Sequence, residues 1–493
     1  MSSGETSTVS RQITTKRLLK NQLIKQSQMR NKRAVLFLLL LVSFTNWSQQ
    51  TVLRPEAFML QVLEGHPLAK QAKLIPEFAE TYVLKARGGF DPKLNYDLSQ
   101  KYYGNKMYYS LSDAQLKVPT WYGLSLQTGL EQNRGTYLDP QGLTPQNGLW
   151  YGGLSANLGN GLLIDERRAE LQKANVYLKS SQLEQRLALN ELVMEAGYAY
   201  WDWYLQFYAG QILKEALEVG AVRLSAMQRM AELGDRPYID TVEAAIQYQT
   251  RAAAFADQEA KYTAASALLN RYLWKADGTP LELALETQPL QDDTLIEQQP
   301  KLVFAGPVDT LVQQHPYLGI LSYKLDVLAI EKRYNQEQLK PQIELKYNFL
   351  NEPIQYNPLA QFSINDYKWG VSAQMPLFLR KERAAVQQTK LKIEQTNFER
   401  QDRSAELTAK LLSTRAEYLN ARKQLSIFTE NAASTKKLLA AELSMFETGE
   451  SSLFMVNMRE SAAFQAALKV VEYQAKCEQL WLKWEFLQAN LVR

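Results

Sequence analysis

Two histidines and one cysteine are all the imidazole and thiol groups that this 493-residue chain offers for catalysis or metal binding. His66 and His315 lie 249 residues apart, and each precedes a proline, Pro67 and Pro316. A catalytic or zinc-binding histidine needs partners at helical or loop spacing. The chain has no HExxH motif, no GxSxG elbow, no phosphate loop and no convincing cysteine–histidine pair. Its carboxylates are spread along helical stretches as solvated faces and i,i+4 partners. The His-Pro pairs read as helix starts, with an extended histidine and proline at the first helical position. No catalytic residue, metal site or cofactor is expected, and Cys477 reads as a small apolar helix residue.

The same two histidines open an internal repeat. Pro92 follows His66 by 26 residues and Pro341 follows His315 by 26, and each begins an alternating stretch. Glu166-Arg-Arg168 is matched by Glu382-Arg383, and Glu232-Leu-Gly234-Asp235 by Glu447-Thr-Gly449-Glu450. Arg168 to Gly234 spans 66 residues, as does Arg383 to Gly449. The first copy is longer by 34 residues, all between Pro92 and Arg168. A duplication on this scale dictates the architecture.

The net charge of +4 is too weak to argue for nucleic acid, and no basic run is interleaved with aromatics. Arg30-Asn-Lys32-Arg33 followed by the 11-residue, mostly apolar segment Ala34–Phe44 reads as a secretory signal. It is too short to span a bilayer as a helix. Residues 1–48 are expected to be an N-terminal extension and signal, with Met29 a candidate start and cleavage near Ser48 or Gln49. A secreted chain with one cysteine has no internal disulfide, and no cysteine follows the signal to carry a lipid. No later run approaches the length of a membrane helix. A membrane β-barrel stays open, because its strands only alternate.

Residues 52–274 form the first repeat, 275–312 a proline-rich inter-repeat linker or equatorial region, and 313–493 the second repeat. Each repeat reads as helix, β-hairpin, very long helix, tight turn and shorter helix. Pro67 and Pro76 are expected to break or kink the first helical stretch. Tyr122, Leu124, Leu126, Thr128 and Leu130 alternate as a strand, as do Trp369, Val371, Ala373 and Met375 before Pro376. The stretch between residues 92 and 158 has room for more than two strands. Leu377 to Thr448 contains no glycine or proline, so about 72 helical residues would reach on the order of 100 Å. Trp201, Trp203 and Tyr204 lie mid-helix and read as packing. Trp121, Tyr122, Trp150 and Tyr151 fall in strand segments and could form an aromatic girdle or pack in a core.

Four principal strands per chain cannot close a barrel, which needs about eight. A ring of chains that pools its hairpins above side-by-side long helices removes the open edges. At this point the chain resembles the TolC family of outer-membrane efflux proteins. The marks are the duplication, the two His-Pro starts, Pro92-Lys-Leu94, Met375-Pro-Leu-Phe378 leading into Arg380-Lys-Glu-Arg383, and the glycine turns at Gly234 and Gly449. The resemblance covers residues 55 to 485. It implies a mainly α fold with a membrane β part, as a homotrimer with an α-barrel and a shared 12-stranded β-barrel. It further implies an exit duct in the outer membrane of a Gram-negative bacterium, in contact with outer-membrane lipid, served by a periplasmic adaptor and an inner-membrane pump. The strand–helix junctions would then hold Pro376, Arg168 and Arg383.

In that family the helix turns form the periplasmic mouth and meet the adaptor. Gly234, Asp235, Gly449 and Glu450 would occupy those turns here. Family members often carry aspartates six and nine places after the second glycine. This chain has Met455 and Met458 there, and keeps an acid, Asp240, only after the first. Asp240, Phe446, Phe454, Met455 and Met458 are therefore gate candidates, and the gate is expected to be apolar with little divalent block. The competing readings are packing of both methionines in the helix interface and Asp240 as a helix cap. The rival for the whole chain is an elongated periplasmic coiled coil, which leaves the matched hairpins unexplained.

Overall fold

The computed structural model describes residues 52–284, 286–290, 307–352, 357 and 363–492. The signal-like segment, Met29, most of the linker from 291 to 306, and Pro353 and Pro358 lie outside the described residues. In chain order the elements are β1 (Val52–Leu53), α1 (Pro55–Gly65), α2 (Pro67–Arg87), β2 (Lys93–Tyr103), β3 (Lys106–Pro119), β4 (Leu124–Arg134), β5 (Leu149–Asn157), α3 (Glu166–Leu233), α4 (Tyr238–Asn270), β6 (Gln288–Pro289), α5 (Val308–Gln313), α6 (Pro316–Glu337), β7 (Gln342–Asn351), β8 (Tyr367–Gln374), α7 (Arg380–Glu447) and α8 (Leu453–Leu487). Strands β1 and β6 pair in parallel and belong to a small compact unit that includes residues 52–54 and 286–290. All other elements belong to a second, larger unit.

The histidines start helices, as the His-Pro pairs predict. His66 and His315 are extended, with proline next. Each imidazole Nδ1 accepts the backbone N–H two residues on, from Leu68 and from Tyr317, both at 3.2 Å. That bond satisfies one of the orphan donors of a first helical turn. The first helical stretch breaks before Pro67, as expected, while Pro76 lies inside α2 and does not end it. Packing of Ala69, Ala72, Ala79 and Val83 holds that helix through the missing hydrogen bond.

The two long helices, α3 and α7, have 68 residues each, or about 100 Å. Gly197 lies within α3. A Cβ there would lie 2.3 Å from Leu482 and 2.8 Å from Met59, so the glycine allows close helix packing. In the larger unit, α3 packs against α2 and α4 and also against α6 and α8, while α7 packs mainly against α6 and α8. The result is four rods in the order α2/α4, α3, α6/α8, α7. Phe58 stacks on Tyr200 at 5.6 Å, and Tyr200, Trp203 and Trp484 are fully buried. The mid-helix aromatics are packing residues. Cys477 is fully buried, and burial pushes its thiol up to about 12, so it is inert at neutral pH.

One antiparallel sheet runs in the order β2-β3-β4-β5-β7-β8. It has six strands where the sequence reading counts four. The 34 extra residues of the first repeat lie between β2 and β5 and supply β3 and β4, and β2 turns back into β3 at Gly104 and Asn105, both at positive φ. A register shift between Lys101 and Tyr102 breaks its alternation just where the turn begins, which hides the second strand from a period-2 reading.

Candidate functional site

The register sorts the sheet into two faces. One carries Lys93, Asn95, Asp97 and Ser99 on β2, Asp113, Gln115 and Lys117 on β3, and Ser125, Gln127 and Glu131 on β4. It continues with Tyr151, Gly153 and Ser155 on β5, Glu344, Lys346 and Asn348 on β7, and Lys368, Gly370 and Ser372 on β8. The other face carries Leu94, Tyr96, Leu98, Leu116, Leu126, Leu130, Trp150, Leu154, Leu345, Tyr347, Phe349, Trp369 and Val371.

The polar face is the inner face of a curled sheet. Ser125, Gln127 and Ser155 are buried although they face no apolar core, while Leu94 is 78% and Trp369 62% exposed. Side chains meet across intervening strands on the polar side. Gln127 Nε2 on β4 donates to Asn348 Oδ1 on β7 at 2.7 Å, over Gly153. Lys368 Nζ on β8 lies 3.9 Å from Glu131 on β4. The Tyr151 ring lies over Gly129, where a Cβ would approach it to 2.5 Å, and its hydroxyl donates to Asp113 at 3.1 Å. Lys93 stands opposite Lys117, and Asp97 opposite Asp113. Like charges directly opposite are unfavourable, and a wet surface is where they cost least. Polar inside and apolar outside is the pattern of a water-filled membrane barrel.

Of the aromatic girdle candidates, Trp121 and Tyr122 sit in the turn between β3 and β4, beside the helices, and Trp121 stacks on Phe90 at 4.1 Å. Trp150 is on the apolar face, nearer the opposite end. Tyr151 is on the polar face, because residues adjacent in a strand point to opposite sides.

At the strand–helix junctions the two repeats differ. Asp165 caps α3, accepting the Arg168 N–H at 2.9 Å and the Arg168 guanidinium at 3.1 Å. Arg168 also donates to the carbonyls of Leu162 and Gly161. Burial alone would raise the Asp165 pKa, but the bonds from Arg168 and Arg167 outweigh it and hold the carboxyl below its usual range. Beside this junction, the Asn160 N–H donates to the Pro341 carbonyl at 2.8 Å, and Asn160 Nδ2 donates to Gln338 at 2.7 Å. The second junction has no such cap. Leu379 takes a left-handed conformation, and Arg383, Pro376, Leu377 and Phe378 are exposed.

At the other end of the long helices, Gly234 and Gly449 terminate α3 and α7 with φ of 81° and 82°. The Asp235 N–H donates to Met230 and the Glu450 N–H to Met445, both at 2.9 Å, so each turn closes with glycine at the left-handed position. Asp235 and Glu450 are exposed. Leu233, Tyr238, Ile239 and Phe454 are exposed as well, making these turns unusually apolar for a surface. Met458 is exposed and Met455 half-buried, whereas their neighbours Leu453 and Val456 are buried. Phe446 packs with Met227, Ala244 and Leu453, under the Arg236 guanidinium at 4.7 Å. Asp240 lies in the first turn of α4, after the cap residue Pro237.

Sequence reasoning missed an ionic cluster behind the turns. Glu460 on α8 is 2% exposed. It accepts Arg223 of α3 at 2.9 Å and Arg251 of α4 at 2.5 Å. Arg251 also donates to the Ala216 carbonyl at 3.0 Å, and Asn457 to Glu243 at 3.0 Å. These contacts tie the first helix pair to the second. The partners of Glu460 and Asn457 are 209 or more residues away, and no local spacing announces them.

Among the described residues no helix is long and apolar enough to cross a membrane, and no group of three or more His, Cys, Asp or Glu is placed to hold a metal ion. No family model matches the sequence, and no curated protein matches it. Solved structures do share the fold. The Campylobacter jejuni CmeC outer membrane channel aligns with a TM-score of 0.64 over 88% of this chain and 85% of that one, at 12% identity. The open state of the Neisseria gonorrhoeae MtrE outer membrane channel aligns with a TM-score of 0.64 over 88% and 89%, at 12% identity. The outer membrane protein VceC of Vibrio cholerae aligns with a TM-score of 0.60 over 88% and 96%, at 10% identity. The fold is that of TolC-family outer-membrane channels.

Proposed function

We propose that this protein is the outer-membrane exit duct of a tripartite efflux or type I secretion system. The observation that carries the reading is the sorted sheet, apolar on its outer face and charged on its inner face. A coiled-coil protein of the periplasm has no use for an exposed apolar sheet face. Edge strands β2 and β8 leave unpaired backbone groups that lipid would penalise, so copies of the chain must share a barrel. Three copies are the number that the resemblance implies. At four strands per chain that barrel would have twelve strands; this sheet has six.

Below the barrel the four rods of each chain join into an α-barrel, and the glycine turns form its mouth. A periplasmic adaptor, delivering cargo from an inner-membrane pump, docks on Leu233, Tyr238, Ile239 and Phe454 around Gly234, Asp235, Gly449 and Glu450. Met455, Met458 and Phe454, with Asp240 and Phe446 nearby, line the closed mouth, so the gate is apolar. The duct conducts passively and does no chemistry. The test is the native mass of protein extracted from the outer membrane in mild detergent, followed by single-channel current. A trimer whose current is insensitive to millimolar divalent cations is expected. A detergent-independent monomer or dimer would sink the duct. A trimer blocked by divalent cations, with a closed state unchanged in Met455→Ala, would sink the apolar gate alone.

A further inference from the structure

The six-stranded sheet ends in two open edges, and the internal duplication specifies what covers them. Within the chain, β5 enters the long helix of the first repeat, and β7 leaves the short helix of the second. These two strands pair, Leu154 with Tyr347 and Ser155 with Lys346. In the duplicated order, β8 is the counterpart of β5, and β2 is the counterpart of β7. Their match is close: Leu94, Tyr96 and Leu98 fall where Ile343, Leu345 and Tyr347 fall, 249 residues on. A seam equivalent to β5–β7 therefore exists between β8 of one chain and β2 of another.

We infer that β8 pairs with β2 of a second copy, so the two added strands, β3 and β4, are part of the barrel wall and three copies close eighteen strands. The count of three rests on the duct reading above; the pairing of β8 with β2 rests on the duplication. Direction agrees. Strands alternate across the sheet from β2 to β8, so β8 meets the next β2 antiparallel and the ring closes without a fault. Facing agrees too, since both edges turn charged and polar residues to the inner side, Asp97 and Ser99 on β2 and Lys368 and Ser372 on β8. Carrying the β5–β7 register across the repeat sets Gly370 opposite Asp97, Trp369 opposite Leu98 and Lys368 opposite Ser99. Asp97 then lies diagonal to Lys368, within reach of a salt bridge.

The added strands are bonded into the sheet on both sides, not appended to it. β3 pairs with β4 without interruption from Ser110–Arg134 to Pro119–Ser125. A twelve-stranded ring would have to break that ladder to free β4 as an edge. Width argues the same way. A strand about 4.8 Å wide and tilted about 40° covers roughly 6 Å of circumference, so eighteen cover on the order of 110 Å. Twelve helical rods at 8–10 Å spacing cover roughly 100–120 Å. Lumen width grows about linearly with strand number, so the duct is about 1.5 times wider than a twelve-stranded one.

The test is disulfide cross-linking in the outer membrane. Cys477 is the only native cysteine and is fully buried, so introduced pairs report cleanly. One variant carries Asp97→Cys with Gly370→Cys, a second Leu98→Cys with Trp369→Cys. Adjacent antiparallel pairs alternate between narrow and wide spacing, so the two variants sample both. On oxidation, at least one is expected to shift from one chain to a covalent three-chain species on a non-reducing denaturing gel. The shift reverses on reduction and is absent from each single-cysteine variant. A trimer by native mass in which neither pair cross-links overturns the β8–β2 seam and leaves the duct standing. A cross-link that leaves the mass of one chain overturns the seam by placing both edges in one molecule. A protein that is monomeric in native mass overturns the duct reading as well.

Discussion

Glu460 is held by two arginines in a site almost closed to water, and such a group is most costly when it loses its partner. Removing one member of a buried ion pair costs about 3–5 kcal/mol, because the remaining charge stays desolvated. Glu460→Gln should therefore lower stability by about 3 kcal/mol in thermal unfolding, and it should raise the open probability of single channels by loosening α8 from α3 and α4. An unchanged melting point and unchanged current would show that the cluster does not brace the mouth. His315 makes a different kind of prediction. Burial and the nearby Arg186 hold its imidazole down at about 4, below the ordinary value of about 6.5. The unfolded chain then takes up a proton below pH 6.5 that the folded chain refuses. Stability is full above about 6.5, falls as pH drops, and levels off below about 4, a loss of about 3 kcal/mol at 1.36 kcal/mol per pH unit. His315→Asn keeps a side-chain acceptor for the Tyr317 N–H and should flatten that slope in unfolding measured from pH 7 to 4. A slope identical to wild type would remove His315 as its source.

At the scale of elements, the helices were largely legible and the sheet only in part. His-Pro starts, glycine ends and the absence of glycine and proline from 377 to 448 are local signals, and α2, α6 and α7 lie where they point. Gly234 and Gly449 show why the turns were readable. Both take a φ that other residues resist, and a Cβ at either would meet nothing within 4 Å. The cost of substitution is thus conformational alone. Gly449→Ala should lose about 1 kcal/mol in thermal unfolding and Gly449→Asn less, since asparagine tolerates the left-handed region; equal losses would mean that contacts decide instead. The two added strands are hidden because the turn that leads into them from β2, Gly104-Asn105, sits inside an aromatic run with a register shift beside it. Trp150 and Tyr151 read alike in the sequence as aromatic strand neighbours, although a strand must send the two to opposite faces. The Glu460 cluster and the Gln127–Asn348 bond were out of reach, since each joins residues more than 200 apart in sequence.

For the whole molecule, the rods carry the same open seam as the strands. Leu391, Phe398, Leu412 and Leu419 on α7 are exposed and recur at multiples of seven, which makes a stripe along one side of the helix. Within the chain α7 packs mainly on α6 and α8, so the stripe has no principal partner there. The opposite rod shows a matching surface, with Leu74, Phe78 and Leu84 on α2 and Val242, Ile246 and Leu268 on α4 exposed. Since α3 packs on α6 and α8 within the chain, its counterpart α7 should pack on α2 and α4 of the next copy. A carboxylate in that stripe would be desolvated without a partner when the ring closes, yet it would be solvated on a single chain. Phe398→Glu combined with Leu412→Glu should therefore abolish the trimer in native mass while leaving the helical circular dichroism of the chain intact. Phe398→Leu, which keeps the surface apolar, should assemble normally. If the double glutamate variant still forms a trimer of wild-type mass, the stripe is not the seam, and α7 faces solvent in the assembled protein.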